Sequence, residues 1–331
     1  MKQIQFSSFG QPSVVARCVD VPEPTAPAAW EVVVKILAFP INVADMAVLA
    51  GRYGSLPKLP STIGMEAAGE LEQCGSSVKD LQPGDRVILL ANNNWSEKRT
   101  VPASAVHKVP SEIDPIQLSM LKVNPATAHI MLTQFEKLEP NGWVIQNAPT
   151  GSVGQAVSQL ANASGIRTLN IIREGASATH ALRFGGTATV VDRVDLAEQV
   201  KSEIGPQPLR LALDAIAGAG TNHLASALSE HGTIVNYGML SGEPCLITPE
   251  NTIFRNISLR GFWLSKILNR LNLGERTELY STLCNYLVNG QLKLSVDSCF
   301  DITEINDALK RAEQRGRVGK VIVTPCKQAG A

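Results

Sequence analysis

Trp143-Val144-Ile145-Gln146-Asn147-Ala148-Pro149-Thr150-Gly151-Ser152-Val153-Gly154-Gln155-Ala156-Val157 is the segment that points most strongly to one fold class. Residues 143–146 read as a strand. A turn carrying Pro and Gly comes next, and residues 153–164 then show the spacing of a helix, with Gly165 placed as its C-terminal cap. In the dinucleotide fingerprint G-x-G-x-x-G, the second glycine lets the backbone approach a pyrophosphate and the third lets helix pack on strand. The helix N-terminus adds N–H donors and the positive end of its dipole. Gly151 and Gly154 take the second and third places, and Pro149 stands at the first. An ordinary strand-to-helix turn can carry the same pair, so the signal depends on the residues downstream.

Those residues show a repeated alternation of strand and helix. Residues 168–172 read as a strand, 177–184 as a helix ending at Gly185-Gly186, and 189–191 and 209–213 as strands. A helix at 222–228 and strands at 233–237 and 258–262 complete the series. Such alternation predicts an α/β fold with a Rossmann-type, doubly wound parallel sheet. The residue after the second strand selects the dinucleotide. An acid there holds the ribose 2′-OH of NAD, and an Arg can take the 2′-phosphate of NADP. Arg173 stands there with its planar fork of donors, pointing to NADPH; Glu174 is its neighbour, and a small shift of the strand end would exchange their places.

Upstream, to about Leu121, short apolar runs such as residues 31–37 and 84–90 are broken by Pro and Gly, which predicts a β-rich domain. Downstream lie an amphipathic helix at 275–288, a helix at 305–314 and a closing strand at 319–323. This ending is not a further βα repeat, so it is expected to return to the first domain. The organisation expected is residues 1–121 with 271–331 as one domain and 122–270 as the inserted nucleotide-binding domain.

Composition narrows the class further. The 331 residues are 44% hydrophobic and 18% charged, enough to bury a large core and without the signature of disorder. Thirty Lys and Arg balance thirty Asp and Glu, with no basic run to track a phosphate backbone, so a nucleic-acid partner is disfavoured. The first residues show no secretory pattern and no apolar run spans a membrane, which reads as a cytoplasmic protein without a membrane partner. The cysteines, at 18, 74, 245, 284, 299 and 326, never fall two to four residues apart, so neither a redox pair nor a zinc knuckle is expected. His129 and His223 fall on expected helices, where an ordinary histidine is commoner than a ligand.

Several segments resemble medium-chain dehydrogenases/reductases over nearly the full length. They are Ile41-Asn42, Gly64-Met65-Glu66-Ala67-Ala68-Gly69, Asn124-Pro125-Ala126-Thr127-Ala128, Gln146-Asn147-Ala148 with Val153-Gly154-Gln155-Ala156-Val157, and Leu259-Arg260-Gly261-Phe262-Trp263-Leu264. The nearest likeness is to the mitochondrial-type trans-2-enoyl-thioester reductases. The resemblance implies a GroES-like β domain beside the Rossmann domain. Zinc-dependent relatives carry a Gly-His-Glu segment whose His binds the metal, together with cysteine ligands. Here Met65 stands at that His, and a thioether cannot replace imidazole and thiolates around Zn²⁺, so no metal is expected.

By the same resemblance, the catalytic tyrosine of Gly51-Arg52-Tyr53-Gly54 is Tyr53. Asn124 contacts the nicotinamide side, Thr150, Gly151, Ser152 and Val153 the pyrophosphate, and Arg173 the 2′-phosphate. Tyr237, Gly238, Met239 and Leu240 lie under the nicotinamide ribose. Phe262, Trp263 and Leu264 present backbone to the carboxamide, and Lys320 reaches the cofactor from the closing strand. Phe262 and Trp263 would equally suit a core or a dimer interface. The family's loop places a glycine next to its Val-Gly, where this chain has Ser152 preceded by Gly151. Tyr53, in a glycine-flanked polar loop, is expected to have little core to support.

The function expected is NADPH-dependent reduction of the carbon–carbon double bond of a 2-enoyl thioester, carried on CoA or on a carrier protein. A homodimer paired through residues 258–262 is expected with it, since an unpaired sheet edge invites association. An NADPH:quinone or enone reductase of the same fold is the second reading. A third is a non-catalytic NADPH-binding module, which would tolerate any residue at position 53.

Overall fold

The computed structural model describes residues 1–314 and 316–325; Cys326, the last of the six cysteines, lies outside the described residues. Two compact units divide the chain. One is Met1–Val123 with Asn272–Asn289 and the chain from Lys293 onward, and the other is Asn124–Leu271 with Gly290–Leu292.

In the second unit six parallel strands form one sheet. Their order across it is Ala188–Val191, Arg167–Ile172, Trp143–Gln146, Leu209–Asp214, Thr233–Asn236, Ser258–Gly261. Numbered along the chain this is 3-2-1-4-5-6, the doubly wound order, and the direction of travel reverses between Trp143–Gln146 and Leu209–Asp214. Trp143–Gln146 is buried along its whole length, as a central parallel strand covered on both faces must be. The helix read at 153–164 runs Ser152–Ala163, and Gly165 takes a φ of +70° just beyond it. Around the sheet pack Trp143, Ile145, Leu169, Leu196, Leu209, Leu224 and Ile234. Helix Leu196–Ile204 has no clear signal in the sequence: its apolar face is only Leu196, Val200 and Ile204, amid charged residues. The last strand is shorter than expected, ending at Gly261, and all four of its residues are exposed.

The other unit is β-rich, with a seven-stranded sheet and a three-stranded one. The closing strand Lys320–Thr324 pairs antiparallel with Glu31–Pro40, Ile322 opposite Pro40, and parallel with Val296–Asp301. The chain end thus supplies strands to the sheet that its beginning started. Val32, Val34, Ile36 and Phe39 meet Val321, Val323, Ile305 and Leu309 in one core. Helix Leu273–Val288 begins with a capping box between Asn272 and Glu275.

The β-rich pattern of the first 121 residues conceals helix Val43–Leu49. Its end is set by Gly51 at φ +71°, where Arg52 N–H returns to the Ala47 carbonyl at 2.8 Å. That turn folds the adjoining loop back on the unit.

Candidate functional site

The glycine loop supplies the first part of the site. Gly151 is the N-cap of the helix Ser152–Ala163, and having no side chain it offers no capping oxygen to the first-turn N–H groups. A cofactor phosphate is the ligand such a helix end accepts best. A Cβ at Gly154 would lie 2.6 Å from the Ala148 carbonyl oxygen and 2.7 Å from the Pro149 Cα, so only glycine lets the helix sit this close to the loop. Thr150 and Gly151 are exposed, and Ser152 and Val153 half-buried. Ser152 is the first helical residue, so the Gly151-Ser152 order places its glycine at the cap itself. These features fit a dinucleotide pyrophosphate.

Beneath the loop a polar network fixes the strand ends where the sheet order reverses. Asp214 is fully buried, at the end of its strand. Its Oδ1 accepts from Asn147 Nδ2 at 2.7 Å and from the Ile216 and Ala217 N–H groups at 2.9 Å; its Oδ2 accepts from Thr221 Oγ1 at 2.7 Å. Asn147 Oδ1 in turn accepts from Ala215 N–H at 2.7 Å. Gln146, one residue earlier, donates to the Gly154 carbonyl, to Ser158 Oγ and to Asn170 Oδ1, tying loop, helix and second strand together.

The residues expected under a nicotinamide ribose adjoin this network. Tyr237 N–H donates to the Asp214 carbonyl at 2.9 Å, Leu240 N–H to the Ala215 carbonyl at 3.1 Å, and Asn236 Nδ2 to the Gly238 carbonyl at 2.9 Å. A Cβ at Gly238 would lie 2.5 Å from the Ala215 carbonyl oxygen. Burial, with the Asp214 carboxylate beside it, pushes the Tyr237 phenol up. Met239 and Leu240 stand 71% and 60% exposed, an apolar surface bare enough to suit a ligand. Phe262 N–H donates to the Asn236 carbonyl, and its ring lies 6.1 Å from that of Phe135. Trp263 carries the Lys266 ammonium 5.0 Å from its ring centre, and Leu264 begins the short helix Leu264–Leu268. Asn124 is buried at the start of helix Asn124–Gln134.

Arg173 comes directly after the strand Arg167–Ile172 and is exposed. Glu174, the acid that competes with it in selecting the dinucleotide, is paired with Arg193 at 2.6 Å. Glu174 is thus engaged by Arg193, and the exposed Arg173 guanidinium at the strand end suits a phosphate better than a ribose hydroxyl.

In the other unit Tyr53 does not stand clear of the core as its loop suggests. It is half-buried and packs against the apolar cluster, because the turn at Gly51 returns the chain to it. Lys320 is also buried, and its ammonium donates to Asn42 Oδ1. Close by, Asp45 accepts from the Asn42 and Met65 N–H groups at 2.9 and 3.0 Å. Glu66 accepts from Asn42 Nδ2 and Val123 N–H, both at 2.8 Å. Lys122 donates to the Met65 and Ala91 carbonyls and to Asn92. Burial pushes Asp45 up to about 7 and Glu66 upward, and pushes Lys122 and Lys320 each down to about 8. Met65 lies amid this cluster, and among the described residues no three His, Cys, Asp or Glu side chains converge as a metal site.

Asp214, Asp45 and Lys122 are buried polar residues of these two networks that the sequence alone does not single out. Asp214 has one usable signal, an acid closing an apolar strand. The members of the other cluster lie up to 278 residues apart, so only the tertiary fold assembles them.

Residues 28–111 match the family model of the alcohol dehydrogenase GroES-like domain, and residues 152–277 that of the zinc-binding dehydrogenase. The chain is 36% identical to a mitochondrial enoyl-[acyl-carrier-protein] reductase of Rattus norvegicus, over 94% of this chain and 85% of the relative. Among solved structures, the Etr1p/NADP/crotonyl-CoA complex superposes with a TM-score of 0.88 at 24% identity, over 98% of this chain and 99% of the other. Escherichia coli quinone oxidoreductase complexed with NADPH gives 0.87 at 24%, over 98% and 100%. These two likenesses concern the fold.

Proposed function

The chain belongs to the enoyl-[acyl-carrier-protein] reductase family of the medium-chain dehydrogenases/reductases, and we propose that it reduces the double bond of 2-enoyl thioesters with NADPH and without a metal. The observation that carries this reading is the sequence likeness to an enoyl reductase over nearly the whole length of both chains, since the fold alone is shared with quinone oxidoreductases.

Bound NADPH supplies the hydride for the β-carbon; a proton reaches the α-carbon and the thioester stays intact. The Tyr53 phenol donates to the thioester oxygen as negative charge gathers there, the task an oxyanion-binding donor performs. Ser152 and Val153 offer helix-end N–H groups to the pyrophosphate, with Thr150 and the side-chain-free Gly151, whose own N–H is held by the Ala148 carbonyl, beside them. Arg173 pairs with the 2′-phosphate. Tyr237 to Leu240 support the nicotinamide ribose, Phe262 to Leu264 and Asn124 the nicotinamide, and Lys320 adds a positive charge toward the cofactor. An acyl-CoA serves as substrate, and the same acyl group on a carrier protein is the alternative.

An NADPH-oxidation panel of crotonyl-CoA, longer enoyl-CoAs, quinones and simple enones tests the reading. Turnover of enoyl-CoAs well above quinones is expected. The reverse order would assign the chain to the quinone reductases, and oxidation of none would leave a cofactor-binding module.

Arg173→Ala should weaken NADPH binding by about tenfold or more, the loss expected for a charge-assisted phosphate contact of about 1.5–3 kcal/mol, with NADH affinity nearly unchanged. Equal losses for both cofactors would refute the assignment. A homodimer is expected as well, paired through the exposed edge strand Ser258–Gly261 with Ile253 and Phe254 exposed nearby in sequence, at 69% and 79%. Sedimentation at micromolar concentration should give twice the chain mass; a monomer would contradict it.

A further inference from the structure

Glu66 has no part in the function proposed above, yet it is fully buried with both carboxylate oxygens engaged. Oε1 accepts from Asn42 Nδ2 and Oε2 from Val123 N–H, both at 2.8 Å. An amide that gives its NH₂ to a carboxylate must turn its oxygen the other way, and the Asn42 oxygen accepts from the Lys320 ammonium. Val123, held by the same carboxylate, directly precedes Asn124.

We propose that Glu66 is a positioning residue for the cofactor: through the Asn42 amide it holds the Lys320 ammonium in place and charged, and through Val123 it anchors the backbone leading into Asn124. This rests on the reading of Lys320 as a cofactor-binding residue. The charged groups facing Lys320 are Glu66 from the segment before strand Ala68–Cys74, Asp45 from helix Val43–Leu49 and Arg317 from the loop before its own strand, while Lys122 faces the two carboxylates. Burial drives Lys320 toward its neutral form, and Glu66 is the strongest influence opposing that. Burial pushes both carboxyls up, Asp45 to about 7, while the N–H donors of Asn42 and Val123 and the two ammonium groups draw Glu66 back toward its charged form. A neutral side chain at position 66 therefore removes the main force keeping the ammonium protonated.

The test measures NADPH affinity of the unreacted protein by fluorescence from pH 6 to 10, with the melting temperature of each variant. Wild-type affinity should fall as Lys320 loses its proton with rising pH. Lys320→Met should bind more weakly at neutral pH and lose that fall. Glu66→Gln, nearly isosteric, should shift the fall about one pH unit lower, so that near pH 8 it binds roughly three- to tenfold more weakly than wild type. A Lys320→Met profile like that of wild type would remove Lys320 from the cofactor site and the proposal with it. A flat Lys320→Met profile beside a Glu66→Gln profile that coincides with wild type would overturn the role of Glu66 alone. A Glu66→Gln chain that does not fold would also overturn it, by making Glu66 a residue of the core.

Discussion

Tyr53→Phe should lower crotonyl-CoA turnover by about 10²-fold, the usual loss when one donor to a developing oxyanion is removed. NADPH affinity should stay at its wild-type value. The ring of Tyr53 packs against the core of its unit, so phenylalanine is the informative replacement: it keeps those contacts and deletes only the hydroxyl. Loss of one hydroxyl hydrogen bond costs about 0.5–1.5 kcal/mol of stability, which lowers the melting temperature by a few degrees at most in a chain of this size. Tyr53→Ala would confound packing with chemistry, because the side chain supports more core than its Gly-Arg-Tyr-Gly setting suggests. Wild-type turnover in Tyr53→Phe would remove the phenol from the mechanism. An activity loss matched by unfolding would make the residue structural.

Asp214→Ala should destabilise the protein by about 3–5 kcal/mol, because it strips a buried carboxylate from four donors, three of them on buried residues. The orphaned groups are Asn147 Nδ2, the N–H groups of Ile216 and Ala217, and Thr221 Oγ1. Asn147 is also the acceptor for Ala215 N–H, so its release loosens both strand ends beneath the glycine loop. NADPH affinity should therefore fall by at least about tenfold in whatever fraction stays folded, as misplaced loop donors lose their phosphate contacts. Urea unfolding and cofactor titration on the same samples check both parts. A change in stability under about 1 kcal/mol would show that the network is dispensable.

The nucleotide-binding fold is legible in the sequence because its signals are local. An apolar strand, two glycines and a periodic helix lie close together along the chain, and the parallel sheet emerges from repetition. Gly154 can be read for its packing role because close approach of helix and loop admits one residue type. Tyr53 is not legible in the same way: a polar loop reads as exposed, whereas the positive φ of Gly51 turns this one back on the core. Helix Val43–Leu49 is hidden in a region of short apolar runs, where strand and helix give the same pattern. That Asp45, Glu66, Lys122 and Lys320 are buried together is illegible for a different reason, although the resemblance names Lys320 by itself. Charged residues are expected at the surface, and it takes distant segments meeting in three dimensions to bring Glu66, Lys122 and Lys320 to their partners.

Transfer of a hydride from NADPH to the β-carbon of an enoyl thioester leaves a label that can be located. Turning over crotonyl-CoA with NADPH deuterated at both C4 positions should give butyryl-CoA with one deuterium on C3 and a solvent-derived hydrogen on C2. Butyryl-CoA without deuterium on C3, or oxidation of the cofactor only when a quinone is present, would rule out this transfer as the reaction of the chain.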